Sequence, residues 1–118
     1  MPFINFNTQK KVQVWEGITG TISHSEQATY CHFTIENGAV LPEHQHVHEQ
    51  WTHVLDGLLE FDIDGEKMLL TSGMTAFIPS NVPHSGRAFA ECKVIDCFTP
   101  VREDFKLLTE LPESALDE

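Results

Sequence analysis

Short runs in which apolar and polar residues alternate recur along this chain. In the run LLEFDI, the apolar Leu59, Phe61 and Ile63 share one face of the predicted element. The acidic Glu60 and Asp62 lie on the opposite face. This period of two is typical of a β-strand, since an amphipathic helix would show a period of about 3.6. The runs CHFTI, WTHVL and TAFIP predict further short strands.

Turn signals separate these runs at regular intervals. They are Asn37-Gly38, Asp56-Gly57, Asp64-Gly65 and Ser72-Gly73, and the Asn-Gly and Asp-Gly pairs favour two-residue hairpins. Evenly spaced strands without intervening helices predict an all-β sandwich or barrel, of which the jelly roll is one example. Two further elements are predicted at the ends of the sequence. The first dozen residues predict an extra strand, and the segment KLLTELPESALDE predicts a short helical tail that Pro112 interrupts.

Composition and charge restrict the class of protein and its partners. The 118 residues, 41% of them hydrophobic, predict a single domain over 1–118, without linker or repeat. Seven Lys and Arg against 18 Asp and Glu give a net charge of −11, which argues against nucleic acid or anionic membranes as partners. Because Arg87 and Arg102 are the only arginines, they are candidates to hold an anionic ligand.

Several features predict a cytoplasmic location. No apolar run approaches the ~20 residues of a membrane helix, and the start MPFINFNTQKK lacks the pattern of a signal peptide. Cys31, Cys92 and Cys97 lie in strand-like runs without CxxC spacing, as expected for reduced, mostly buried thiols. The apolar segment FINFN could cross to a second copy, so we predict a homodimer.

Candidate metal ligands fall in two glycine-flanked blocks. His44 and His46 are two residues apart, so on one strand they would project from the same face. Gln50 follows after an even step and would share that face if the strand continues, and His84 arrives from a later hairpin. Imidazole nitrogen and amide oxygen can bind one divalent Ni, Zn, Mn or Fe ion. His24 and His32 are interpreted as surface or strand residues, and His53, at an odd spacing from Gln50, is predicted to point away from the metal.

The two blocks resemble the motifs of the cupin superfamily. The first motif, G-x5-H-x-H-x3,4-E-x6-G, matches Gly38, His44, His46, Gln50 and Gly57, with Gln in place of Glu. The second motif, G-x5-P-x-G-x2-H-x3-N, matches Gly73, Pro79 and His84, with Asn81 and Ala88 at its other positions. The resemblance covers about residues 30–100 and implies a jelly-roll barrel. The motif spacing excludes Glu49 as the fourth ligand, and its odd spacing from Gln50 would place it on the opposite face of the strand. His48 is a candidate to support the ligands.

A carboxylate lies inside a later apolar run, VIDCFTPVREDF. Asp96 and Phe98 share one face, and Arg102 follows beyond Pro100. Burying an unpaired carboxylate is costly, so Asp96 either pairs with a structural donor or faces a cavity as a proton-transfer group. Phe98 either packs in the apolar core or forms part of an apolar wall of that cavity.

This run also resembles the C-terminal signature of small single-domain cupins of pectin and alginate breakdown, approximately D-x-F-x-P-x-R-E-D. The resemblance implies that Asp96, Phe98 and Arg102 are active-site residues. It further implies metal-dependent ring opening of 4,5-unsaturated monouronates, which are small anionic sugar acids. The alternatives are a cupin dioxygenase or another metal-dependent enzyme that acts on a small molecule, and a non-catalytic metabolite-binding cupin.

Overall fold

The computed structural model describes residues 2–110 and contains ten strands and one helix. The elements in chain order are β1 Val12–Trp15, β2 Ile18–His24, β3 Thr29–Ile35, β4 Val40–His44, β5 Glu49–Asp56, β6 Leu59–Ile63, β7 Glu66–Leu70, β8 Thr75–Ile78, β9 His84–Ala88, β10 Cys92–Thr99 and α1 Glu103–Glu110. Within residues 2–110 there is no helix that could span a membrane.

The strands form two antiparallel sheets that share one apolar core. The larger sheet has the order β1-β2-β3-β10-β5-β8, and the smaller has the order β4-β9-β6-β7. Buried residues from both sheets make up the core, among them Phe33, Val54, Phe61, Ile78 and Val94. This two-sheet arrangement is the predicted all-β jelly roll, and the alternation in LLEFDI places Leu59 and Phe61 in the core as expected.

The tight turn between β6 and β7 follows from its sequence. Asp64 and Gly65 both have positive φ, 51° and 90°, as a type I′ hairpin turn requires. The Asp62 side chain accepts a hydrogen bond of 2.9 Å from the Gly65 amide. The predicted Asp-Gly hairpin is therefore confirmed.

Both ends of the described chain depart from the predictions. The extra strand in the first dozen residues is wrong, since β1 begins only at Val12. A turn forms instead, in which the Asn5 side chain accepts a hydrogen bond from the Asn7 amide and the Asn5 carbonyl accepts one from the Thr8 amide. The C-terminal helix starts at Glu103, ahead of the predicted segment, because acidic residues favour a first helical turn. Pro112 lies outside the described residues.

The homodimer stays a prediction, and the exposed surface suggests how to test it. Phe3 and Ile4 are exposed, while Phe6 packs against the outer face of β3. On the same face of the larger sheet, Trp51 and Phe77 are also exposed, with ring centroids 4.5 Å apart. Light scattering at micromolar concentration should give the mass of two chains, reduced toward one in a Phe3→Ser, Ile4→Ser variant. A single-chain mass for the wild type would contradict the prediction.

Candidate metal centre

Three imidazoles converge where the smaller sheet meets the loop that leads to the larger one. His44 ends β4 and lies opposite His84, which starts β9. His46 follows in the loop between β4 and β5. One ring nitrogen from each of the three lies within 4.8 Å of the others, so they could hold a metal ion.

The route by which these residues meet differs from the predicted one. The sequence favoured a single continuous strand that carries His44, His46 and Gln50 on one face. The strand ends at His44, because residues 45–48 form a loop, and Gln50 belongs to β5 in the other sheet. The loop turns the chain between the sheets and brings the His46 ring to the Gln50 amide.

The three rings are oriented by backbone carbonyls. The Nδ1 atom of His44 lies 2.8 Å from the Pro42 oxygen, that of His46 3.0 Å from the His48 oxygen, and that of His84 2.9 Å from the Val82 oxygen. A carbonyl oxygen only accepts hydrogen bonds, so each Nδ1 carries the proton and each Nε2 presents a lone pair. Such contacts fix the tautomer and orientation of metal-binding histidines.

Within residues 2–110, lone pairs that receive no hydrogen bond face one another between the three histidines and Gln50. The His84 Nε2 is buried and has no hydrogen-bond partner among residues 2–110. The His46 Nε2 lies 3.2 Å from the Gln50 Oε1, so two acceptors face each other. Burial, together with Arg102 and His84, lowers the pKa of His46 to about 4. The His46 Nε2 therefore carries no proton near pH 7 that could turn this contact into a hydrogen bond. A bound cation would satisfy all these atoms, and the residues therefore fit a metal.

A row of buried, hydrogen-bonded side chains links the metal centre to Asp96. The Gln50 Nε2 donates to the Thr52 Oγ1 at 2.9 Å, and the Thr52 hydroxyl lies 2.6 Å from the Asp96 Oδ1. All three side chains are buried. Burial raises the pKa of Asp96 to about 6, although the Thr52 hydrogen bond and Arg102 act in the opposite direction. Sequence reasoning missed Thr52, whose one signal was its even spacing from Gln50.

Arg102 lies near these side chains, and its guanidinium is held by two aromatic rings and one carboxylate. Its guanidinium carbon lies 4.7 Å from the Phe98 ring centroid and 4.0 Å from that of Phe105. Its Nε and one terminal nitrogen donate to the two oxygens of Asp104 at 3.0 and 2.7 Å. This bidentate contact lowers the pKa of Asp104. Asp104 was also missed as a site residue, although the R-E-D run contained it.

One cavity of about 450 Å³ brings these groups together. Most of its wall is apolar, and the polar side chains on the wall include His44, Gln50, Thr52, Asp96 and Arg102. Phe98 contributes part of the apolar wall. The structure therefore places Asp96 and Phe98 on the inward face of β10, and both also contribute to the buried interior. Exposed Arg87 lies on the wall as well.

The remaining histidines and Glu49 lie outside the group of ring nitrogens. His48 packs edge-on against His46 and Phe98, but it does not join the three converging rings. His24 contacts the Thr29 hydroxyl, His32 stacks on Phe6, and His53 contacts the Thr75 hydroxyl. Glu49 is exposed at the start of β5, as its odd spacing from Gln50 predicts.

Two antiparallel sheets around a cavity, with three histidines at its edge that could hold a metal ion, define a protein of the jelly-roll class. The family model described as Cupin domain matches residues 31–97, and the chain belongs to that family. The matched range is close to the region of about residues 30–100 that carries the motif resemblance.

Relatives from several bacteria share parts of the sequence or the fold. A pectin degradation protein, KdgF of Dickeya dadantii, is 37% identical over 70 residues, which are 58% of this chain and 64% of that protein. Quercetin 2,3-dioxygenase of Bacillus subtilis is 54% identical over 46 residues, which are 36% of this chain and 13% of the enzyme. The matches thus span less than two thirds of either relative.

Solved structures match over more of the chain. An RmlC-like cupin from Shewanella frigidimarina superposes with a TM-score of 0.84 at 25% identity, covering 89% of this chain and 96% of that structure. KdgF from a Halomonas species superposes with a TM-score of 0.80 at 32% identity, covering 87% and 96%.

Proposed function

We propose that this protein is an enzyme that opens the ring of 4,5-unsaturated monouronates to give open-chain 4-deoxy-5-ketouronates. One observation carries the proposal: a single cavity presents a histidine of the metal centre, the buried carboxylate of Asp96 and the anchored guanidinium of Arg102. The likeness to the KdgF proteins, one of which is named for pectin degradation, supports the same substrate class.

The metal part of the proposal uses four ligands. His44, His46 and His84 would bind one divalent Ni, Zn, Mn or Fe ion through Nε2, and Gln50 would add its amide oxygen. Such an ion supplies positive charge that attracts a carboxylate and stabilises negative charge on a substrate oxygen. All four side chains are neutral, so they would leave the charge of the ion uncompensated for an anionic substrate.

Asp96 is proposed to move the protons of the reaction. When the C1 hydroxyl loses its proton, the bond between C1 and the ring oxygen breaks and an aldehyde forms at C1. The bond electrons pass to the former ring oxygen, and the resulting enolate becomes a ketone at C5 once C4 gains a proton. The reaction is an isomerisation and needs no co-reactant. A carboxyl group whose pKa is raised to about 6 can both accept and return a proton near neutral pH.

Arg102 is proposed to hold the substrate carboxylate. Asp104 occupies one edge of its guanidinium, and Phe98 and Phe105 cover its faces. Within residues 2–110 the other terminal nitrogen has no hydrogen-bond partner, so it remains for a ligand. The wall of the cavity includes both Arg102 and Asp104. Because the guanidinium is already oriented, little side-chain freedom is lost when a carboxylate binds.

Replacing Arg102 with alanine should act mainly on KM. A hydrogen bond to a charged group contributes about 1.5–3 kcal/mol, so KM should rise by about 10- to 100-fold if the contact is equal in ground and transition states. Steady-state kinetics on the unsaturated uronate measures the effect. Arg87→Ala is the matched control, because Arg87 is the other arginine on the cavity wall. A large rise in KM for Arg87→Ala alone would transfer the role to that residue.

The proposed reaction is tested by the absorbance of the conjugated C4=C5 bond. Wild-type protein should speed its loss above the spontaneous rate with unsaturated galacturonate or mannuronate. Chelation should abolish the acceleration, and one of the four metals should restore it. If the metal-loaded protein does not speed the loss of absorbance for either substrate, the ring-opening proposal fails.

A cupin dioxygenase is the second candidate, supported by the segment shared with quercetin 2,3-dioxygenase. Oxygen uptake with an aromatic substrate would favour it. The third candidate, a metabolite-binding cupin, would bind a sugar acid tightly without turnover. We also propose a cytoplasmic location, which the free thiols of Cys31, Cys92 and Cys97 support.

A further inference from the structure

We infer that Thr52 is a positioning residue that makes Gln50 present its oxygen, and not its nitrogen, to the three histidines. The inference rests on one part of the proposed function, the role of Gln50 as a metal ligand. It does not depend on which substrate the metal centre acts upon.

The argument begins with the single proton of the Thr52 hydroxyl. A hydroxyl donates one hydrogen bond and can accept two. Its oxygen lies 2.6 Å from the Asp96 Oδ1, a length typical of a hydroxyl that donates to a carboxylate. With its proton directed to Asp96, Thr52 can only accept from Gln50. The group that faces it at 2.9 Å must therefore be the donor of the amide, Nε2.

The other end of the amide is determined by the same contact. An amide that turns Nε2 toward Thr52 turns Oε1 the opposite way, and this oxygen lies 3.2 Å from the His46 Nε2. Amide oxygen binds a divalent transition metal, whereas the NH₂ group carries no available lone pair. If the amide rotated by half a turn, its oxygen would face a Thr52 oxygen that has no proton left to offer.

Strand register and burial make this arrangement specific. Thr52 follows Gln50 by two residues on β5, so both side chains face inward, and β10 places Asp96 directly opposite Thr52. Thr52 is 1% exposed and Gln50 is 5% exposed. Water therefore has little access to replace a lost hydrogen bond, and the Thr52 hydroxyl favours the orientation in which the amide oxygen faces His46.

The test compares Thr52→Val with Thr52→Ser at about pH 8, where an aspartate is ionised. Valine keeps the shape of threonine and removes the hydroxyl, whereas serine keeps the hydroxyl. Co²⁺ affinity is measured by competition with a chelator, and the visible spectrum of bound Co²⁺ reports on its ligands. We expect Thr52→Val to weaken binding by about 10- to 100-fold and to change the spectrum, and Thr52→Ser to resemble the wild type.

Two results would overturn the inference. One is unchanged Co²⁺ affinity and spectrum in Thr52→Val. The other is equal loss in both variants, which would assign the effect to the methyl group and its packing. Circular dichroism of each metal-free variant checks that the sheets have formed.

A double mutant separates the inference from a general effect on folding. Gln50→Leu should itself weaken Co²⁺ binding, and adding Thr52→Val to it should have no further effect, because the amide that Thr52 orients is gone. Additive losses, or full Co²⁺ affinity in Gln50→Leu, would contradict the inference. None of these measurements uses a uronate, so failure of the ring-opening proposal would leave their outcome unaffected.

Discussion

Metal binding should fall by at least about 100-fold when His84 is replaced with alanine, because the change removes a ligand outright and loss of a supporting contact alone costs about 10- to 100-fold. The His84 side chain is 1% exposed, and its Nε2 has no partner within residues 2–110. Metal analysis of the purified protein should find about one divalent ion per wild-type chain and almost none in the variant. His53→Ala is the matched control, since His53 points away from the centre on β5.

Unfolding provides a second measurement of the same effect. A ligand that binds only the folded state stabilises it, by about 2.7 kcal/mol at 100 times its Kd. Metal should therefore raise the unfolding temperature of the wild type and of His53→Ala, but not that of His84→Ala. Equal metal content in the wild type and His84→Ala would contradict the assignment of the centre, whatever the effect on stability.

The sequence predicted the parts of this fold that depend on local periodicity. Alternation with a period of two placed Asp96 and Phe98 on one face of β10, and the structure has both inward. The Asp-Gly pair at Asp64 and Gly65 predicted its hairpin because few other residues accept positive φ at both positions. These features are determined by neighbouring residues, so they can be inferred without knowledge of the three-dimensional structure.

Contacts between distant strands could not be predicted in the same way. Thr52 and Asp96 are 44 residues apart, and their hydrogen bond depends on the register between β5 and β10. The position of His46 depends on a loop between the sheets, so its even spacing from His44 did not predict the route by which it joins the other two histidines. Asp104 belongs to a helix that starts earlier than predicted, and its contact with Arg102 depends on that start.

The electrostatics of the site link these distant contacts to the chemistry. Desolvation raises the pKa of Asp96, while its short hydrogen bond to Thr52 and the nearby Arg102 limit that rise. Burial and the same arginine lower the pKa of His46 to about 4. The site therefore combines a carboxyl group able to exchange protons near neutral pH with a nearby imidazole, His46, that stays neutral and free to bind metal.

Turnover should fall by about 10²- to 10⁴-fold in Asp96→Asn, the range expected when a general acid-base group is removed. Asparagine keeps the size of the side chain and an oxygen that can accept from Thr52, so metal content should remain that of the wild type. Asp62→Asn, on the half-buried face of β6, is the control for a change of charge.

The pH dependence gives an independent check on the same residue. A base must be ionised to act, so kcat/KM of the wild type should rise with pH through the pKa of Asp96. The midpoint of this rise, the acidic limb of the pH profile, should lie at or below about pH 6, because a bound cation favours the ionised carboxylate. The limb should be absent in Asp96→Asn. Metal content measured at the acidic end distinguishes this limb from protonation of the ligand histidines. If Asp96→Asn is fully active and retains its metal, another group transfers the proton, and the metal centre remains as assigned.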